Sequence, residues 1–237
     1  MAEKIFFDKR LPLAYRDSDN FIGSGCNGSV YRISDNKIFK FLGDVSACEK
    51  NFEYLLSQTS SSFVFPDILV YLDNKLVGYI AKYIDGVSLK KINDEVLFEE
   101  FLDASVILEK EIRKKSMDLM SLFDMNSNNI LWSVDKKLQV VDTDLYEYDN
   151  SFYEEHQLYF ENMANYNETV LYSFLDTYNF FLGNEPLDKY YKLCFFEGRM
   201  AASKFLCFLV NYLESMTSNP IKTIGDVKRS LSLVRKR

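Results

Sequence analysis

The sequence predicts an α+β protein: five short strands and one helix come first, and a mainly helical half follows. Three observations predict it. Before about residue 87, brief runs rich in Ile, Val, Phe and Tyr are punctuated by Gly, Asp and Asn, the pattern of strands and turns. Beyond it, apolar residues recur over long segments at a spacing near 3.6, the pattern of amphipathic helices. The composition, 47% apolar and 27% charged with nine Gly and four Pro in 237 residues, is that of a chain able to bury a core. The change of character divides the chain into residues 1–86 and 87–237.

The elements follow in order. Residues 21–33 read as two strands around a Gly-containing turn, and 37–42 as a third strand. Residues 46–58 open on a capping serine, Ser46, and carry Phe52, Leu55 and Leu56 at helical spacing. Residues 63–71 and 76–83 form a strand pair joined by the turn Asp73-Asn74. A long helix over 94–117 is marked by Val96, Leu97, Phe101, Val106, Ile107 and Ile112. A small β-element, 129–132 and 138–141, interrupts the helical half around the turn Asp135-Lys136-Lys137. Helical patterns resume at 167–182, 186–196, 200–216 and 224–237.

Composition also excludes function classes. A formal charge of -7, with Arg235-Lys236-Arg237 the one dense basic run, gives no broad footprint for nucleic acid, which needs clustered cations. Cys26, Cys48, Cys194 and Cys207 form no CxxC pair, so neither a zinc site nor a disulfide framework is indicated. No stretch approaches the roughly 18 apolar residues of a membrane span, and residues 1–10 lack the apolar run of a signal peptide. The expected compartment is the cytoplasm, and secretion that uses no cleavable signal is compatible with the same sequence.

Three groups of residues carry chemistry. Residues 22–31 contain Gly23, Gly25, Gly28 and Val30 as GxGxxGxV between two strands, not before a helix, so the motif is not a dinucleotide fingerprint. A turn without Cβ atoms can lay its backbone over phosphates. Ten residues after Val30, Lys40 stands among apolar neighbours in a strand, and such a cation needs a partner if it faces inward. Glu49 and Glu53, four residues apart on one helix face, both offer a carboxylate; Glu53, next to Leu55 and Leu56, is favoured. The strongest group is Asp124-Met125-Asn126-Ser127-Asn128-Asn129, followed after a hairpin by Asp142-Thr143-Asp144. The hairpin brings Asn129 and Asp142 together as hard oxygen ligands suited to Mg²⁺ and a triphosphate, with Asp124 placed to accept a proton from a hydroxyl. Asp144 is either a further oxygen near that metal or a solvated carboxylate.

In this order and rough spacing, Gly23/Gly25/Gly28, Val30, Lys40, Glu53, Asp124, Asn129 and Asp142 resemble the signature set of the eukaryotic-like protein kinases, over residues 20–145. The resemblance implies a bilobal kinase-like fold with a five-stranded antiparallel N-lobe and a reduced helical C-lobe. It implies ATP and Mg²⁺ as cofactors, with the glycines over the phosphates and Lys40, held by Glu53, on the α- and β-phosphates. It places Ala81 as gatekeeper and the Lys82 and Ile84 backbones against the adenine edge. Asn129 and Asp142 hold the metal, and Asp124 orients the acceptor hydroxyl.

The departures lie on the acceptor side. Leu122-Phe123-Asp124 stands in place of HRD, Asp142-Thr143-Asp144 in place of DFG, and no APE follows. Asn126, where Ser/Thr kinases usually have Lys, gives DxNxxN, closer to small-molecule kinases of the same superfamily. His156, in an acidic run, reads as a surface residue, and Tyr172, Phe174, Tyr178, Phe180 and Phe181 read as core. The expected function is phosphorylation of protein Ser/Thr. A small-molecule kinase of the aminoglycoside or choline type and a nucleotide-binding pseudokinase stand as alternatives.

Overall fold

The computed structural model describes residues 3–7, 18–25, 28–42, 49–148, 155–174 and 187–234. Its first half is a six-stranded sheet: β1 (Glu3–Phe7), β2 (Phe21–Gly25), β3 (Gly28–Ser34), β4 (Lys37–Leu42), β5 (Pro66–Leu72) and β6 (Lys75–Lys82), in the order β1-β5-β6-β4-β3-β2. The five strands predicted from sequence are antiparallel to their neighbours. The sheet as a whole is mixed, because β1 adds itself in parallel along β5, Glu3 opposite Ile68 through Phe7 opposite Leu72. The expectation of a five-stranded antiparallel sheet is corrected by that strand. Its signal was a bare Ile5-Phe6-Phe7, and a parallel partner more than sixty positions away leaves no local trace.

Alternation along β4 decides what each side of the sheet holds. Phe39 joins Tyr31, Ile68, Val70 and Ile80 in one apolar layer. Ile38 and Leu42 face the other way, with Leu69, Tyr71, Tyr79 and Ala81, and Phe52 of helix α1 (Glu49–Leu56) packs on that layer. Lys40 has the parity of Ile38 and Leu42 and is likewise buried. Two glycines permit the close strand spacing around it. A Cβ on Gly78 would lie 2.2 Å from the Lys40 carbonyl oxygen, and one on Gly28, whose φ is 144°, only 1.9 Å from that of Phe41. The β5–β6 hairpin turns at Asp73 and Asn74, both at positive φ, the geometry that Asp and Asn tolerate.

After the sheet the chain passes through β7 (Gly86–Ser88) into α2 (Phe98–Met117), which starts nearer the C-terminus than its apolar pattern suggested. Next come β8 (Met120–Ser121), β9 (Ile130–Ser133), β10 (Leu138–Val140) and β11 (Glu147–Tyr148), then α3 (Glu155–Phe174), α4 (Leu187–Phe195), α5 (Ala202–Thr217) and α6 (Ile224–Val234). The predicted hairpin is β9–β10, and β7 adds a third strand to it. Strand β8 pairs with β11, so the chain before Asp124 is clasped to the chain after Asp144. The sequence reading missed β7, β8 and β11, which have two or three residues each.

Helix α3 begins twelve residues before the predicted start at residue 167, and predicted positions 175–182 lie outside the described residues. Helix α6 starts with a reciprocal cap. Asp226 accepts from the Thr223 amide at 2.9 Å, and Thr223 Oγ1 accepts from the Asp226 amide at 3.2 Å. The helices and the β9–β10 hairpin share one large core that also takes in Leu55, Phe63 and Phe65 from the sheet side. Among the described residues no helix is long and apolar enough to cross a membrane.

Candidate active site

Two backbone segments bring the chemistry together, and each is fixed at both ends. The first, residues 122–129, runs from β8 into β9. Buried Asn162 of α3 accepts from the Leu122 amide at 3.0 Å and donates to the Met120 carbonyl at 3.0 Å. Seven residues on, on the same helix face, Thr169 Oγ1 donates to the Met125 carbonyl. The sequence reading missed both supports, because it placed Asn162 outside a helix.

Within this segment Asp124 adopts φ 60°. Its carboxylate is gripped from both sides: Asn126 Nδ2 donates to Oδ1 at 2.6 Å, and Asn129 Nδ2 to Oδ2 at 3.1 Å and to the Asp124 carbonyl at 3.0 Å. Asn126 Oδ1 in turn accepts from the Asn128 amide at 2.9 Å. Spacing predicted that Asn126 and Asn129 belong with Asp124; the bonds explain the spacing, since each amide takes one carboxylate oxygen. With Nδ2 of Asn129 spent on Asp124, its Oδ1 is turned the other way and keeps its lone pairs.

The second segment runs from β10 to β11. The Val140 amide donates to the Ser62 carbonyl at 2.7 Å and the Val64 amide to the Val140 carbonyl at 2.8 Å, while the Val141 amide donates to the Asn129 carbonyl at 2.8 Å. The last bond joins the two segments. Asp142 takes φ 63°. Thr143, fully buried, donates through Oγ1 to the Val64 carbonyl at 2.9 Å.

Lys40 reaches this segment across 102 positions of sequence: its Nζ contacts Asp142 Oδ1 and lies 2.8 Å from Asp144 Oδ2. Asp144 is thus buried and paired, and its reading as a solvated carboxylate is set aside. The expected pair between Lys40 and Glu53 is not the one formed. Glu53, half exposed, accepts instead from Lys4 of β1 at 3.1 Å, a strand the sequence reading did not foresee. The side chain of Glu49 lies outside the described residues.

One ammonium does not neutralise two carboxylates. Burial pushes the Asp144 carboxyl above the ordinary carboxylate range, Asp142 adds to the rise, and Lys40 pulls the other way without cancelling it. The buried hydroxyls of Tyr79, beside Lys40, and Tyr146 are pushed well above the usual tyrosine range by burial and then by these carboxylates. The site therefore carries two carboxylates to one ammonium, with Asp144 and Lys40 buried and Asp142 partly open to water. The donor chemistry fits a hard cation: Asn129 Oδ1 and the Asp142 and Asp144 carboxylates are all oxygen ligands. Among the described residues no group of three or more His, Cys, Asp or Glu side chains is placed to hold a metal ion.

The remaining predicted residues lie on β2, β3, β6 and the segment after β6. Val30 lies opposite Lys40 on β3, and Ala81 of β6 lies opposite Ile38 and is buried. Beyond Lys82 the Tyr83 amide donates to Asn36 and the Asp85 carbonyl accepts from Val134, bonds that leave the Ile84 peptide groups unengaged. A Cβ built on Gly23 or Gly25 meets nothing within 4 Å, so those two face open space, whereas Gly28 is needed for strand pairing. Cys26 and Asn27, between them, lie outside the described residues. A pocket of about 370 Å³ opens beside Asp124, lined by Met125, Asn126, Ser127, Asn165, Glu168, Thr169 and Tyr172. His156 is exposed on α3.

No protein-family model matches the chain, and comparison with curated proteins gives no match.

Proposed function

We propose that the chain is an ATP- and Mg²⁺-dependent phosphotransferase of the protein kinase-like fold, with an N-lobe over residues 1–86 and a C-lobe over 87–237, that phosphorylates Ser or Thr of a protein. The observation that carries this reading is the convergence of Lys40 from the sheet, Asp142 from the β10–β11 segment and the Asn129-bonded Asp124 from the β8–β9 loop. The placement of Lys40 supports it, because its Nζ leaves the sheet and reaches Asp142 and Asp144 beyond β10.

Each residue then has a chemical task. Gly23 and Gly25 leave room for phosphates under the β2–β3 turn, and Ala81 and the Ile84 peptide form the wall for the adenine. Lys40 offers its ammonium to the α- and β-phosphates, and Asn129 and Asp142 would hold Mg²⁺. When bound, that ion supplies charge neutralisation on the β- and γ-phosphates. Asp124, fixed by Asn126 and Asn129, accepts the hydrogen bond of the acceptor hydroxyl and aligns it for in-line attack. The acceptor oxygen bonds to the γ-phosphorus as the bond to the β,γ-bridging oxygen breaks, and the hydroxyl proton passes to Asp124.

A second acceptor class has a specific observation in its favour. The 370 Å³ pocket beside Asp124 is of a size for a small alcohol, so a small-molecule kinase is the competing reading. Intact-mass analysis after incubation with Mg-ATP separates the two. A gain of phosphate on Ser or Thr supports the protein kinase, and transfer only to added amino alcohols supports the other. A chain whose melting temperature does not rise with Mg-ATP would refute both, since a ligand of the native state must stabilise it.

A further inference from the structure

We infer that Asp144, rather than Glu53 of α1, is the residue that positions Lys40 for the nucleotide, with Thr143 as its anchor. The inference rests on the kinase reading above and deepens it. Lys40 and Asp144 form a contact at 2.8 Å between side chains only 4% and 5% exposed, so neither water nor salt screens it. A lysine ammonium has three N–H donors. Two go to Asp144 and Asp142, which leaves one for a phosphate oxygen, and Glu53 is engaged by Lys4 instead.

Helix α1 is held where it is. Phe52 and Leu55 are buried in the two cores that flank it, and Asn51 Nδ2 donates to the Tyr146 carbonyl at 2.8 Å. The Lys4–Glu53 pair is half exposed, so it restrains the helix weakly; packing fixes α1, and the two aspartates hold the ammonium without Glu53.

The anchor is equally specific. Val64 donates its amide to Val140 and accepts from the Thr143 hydroxyl, so one residue brackets the backbone on both sides of Asp142. Asp144 stands where the resemblance places a hinge-like glycine, and the buried Thr143 bond opposes the swing such a glycine would permit. The carboxylate that aims Lys40 and the carboxylate that would take the metal therefore move as one unit, and the site needs no inward swing of α1 to become competent.

The test is nucleotide affinity, measured by displacement of a fluorescent ATP analogue with EDTA present and again with Mg²⁺, on the full chain, with melting curves to verify folding. Asp144→Asn should weaken metal-free ATP binding about tenfold, the scale of one charge-assisted hydrogen bond, and Glu53→Gln by less than about twofold. Thr143→Val should weaken it and Thr143→Ser should restore it. In a Lys40→Met background Asp144→Asn should add no further loss, which a merely structural role would not produce. Asp144→Asn within about twofold of wild type, Glu53→Gln as severe as Asp144→Asn, or additive losses in the Lys40→Met background would each overturn the inference while wild-type binding upholds the kinase reading. Wild-type protein that binds no nucleotide would overturn the function itself and this role with it.

Discussion

Replacing Lys40 by Met tests the charge arrangement at the centre of the molecule. Met keeps most of the aliphatic volume, so the loss is that of the ammonium. What remains is Asp144, with a 5% exposed side chain, beside Asp142, 34% exposed, and no cation for either. Breaking a buried pair costs about 3–5 kcal/mol, against at most about 1 kcal/mol for an exposed one. Asp142 keeps contact with water, and Asp144, already raised, escapes part of the cost by taking up a proton. The expected loss is therefore at the lower end, about 3 kcal/mol, or roughly 6–12 °C in melting temperature for a chain of this length.

Chemical denaturation at neutral pH measures that loss. Millimolar Mg²⁺ should recover more stability in Lys40→Met than in the wild type, because it supplies the missing positive charge. Adding Asp144→Asn should recover at least about 1 kcal/mol, since an unpaired buried charge costs more than an absent pair. A single-mutant loss below about 1 kcal/mol would refute the argument, because it would mean that Lys40 and Asp144 are solvated.

Asp124→Asn should lower turnover by about 10²–10⁴-fold and leave Mg-ATP affinity within about twofold; wild-type turnover would remove Asp124 as the proton acceptor. Gly28→Ala should cost more than about 2 kcal/mol in a denaturant titration, because its Cβ would meet the Phe41 carbonyl at 1.9 Å. Gly23→Ala and Gly25→Ala should melt within about 1 kcal/mol of wild type and show their effect in nucleotide affinity.

Asp226→Asn should cost about 1 kcal/mol near neutral pH by loosening the α6 cap. The Lys222 amide, then Arg229 and Thr223, lower the Asp226 carboxyl from 3.8 to about 2, so the folded state favours its charged form. Its contribution is full above the unfolded value and lost as pH falls toward 2, and the gap between variant and wild type should close over that interval. A gap independent of pH would mean the cap does not depend on the charge.

The sequence exposed those parts of the fold that repeat or alternate. Strands β2 to β6 and helix α2 were legible because a two-residue or 3.6-residue period runs through them, and Gly, Asp and Asn mark their ends. The loop over residues 124–129 was legible for another reason: Asp124, Asn126 and Asn129 bond among themselves, so their spacing carries their geometry. The partner of Lys40 was not legible, because it depends on two facts with no local signature. One is the positive φ of Asp142, which turns Asp144 back toward Lys40 after β10 has ended. Sharing a strand face could not have done so. The other is β1, whose pairing with β5 brings Lys4 to Glu53. Helix α3 was read from residue 167 because Asn162 interrupts the apolar stripe ahead of it, and Asn167, inside the predicted helix, is a second buried polar residue. Both amides are buried and bonded to the backbone of other elements, so tertiary hydrogen bonds replace the missing apolar signal.

Asp124 and Asp142 both sit in left-handed backbone, at φ 60° and 63°. Asp and Asn both tolerate that conformation, as Asp73 and Asn74 do in the β5–β6 hairpin. The backbone therefore does not distinguish Asp from Asn at position 124; what sets them apart is the exposed carboxylate, with its charge and the two side-chain amides it accepts from. On the proposed function, Asp124→Asn would keep the conformation of the loop and remove its proton acceptor.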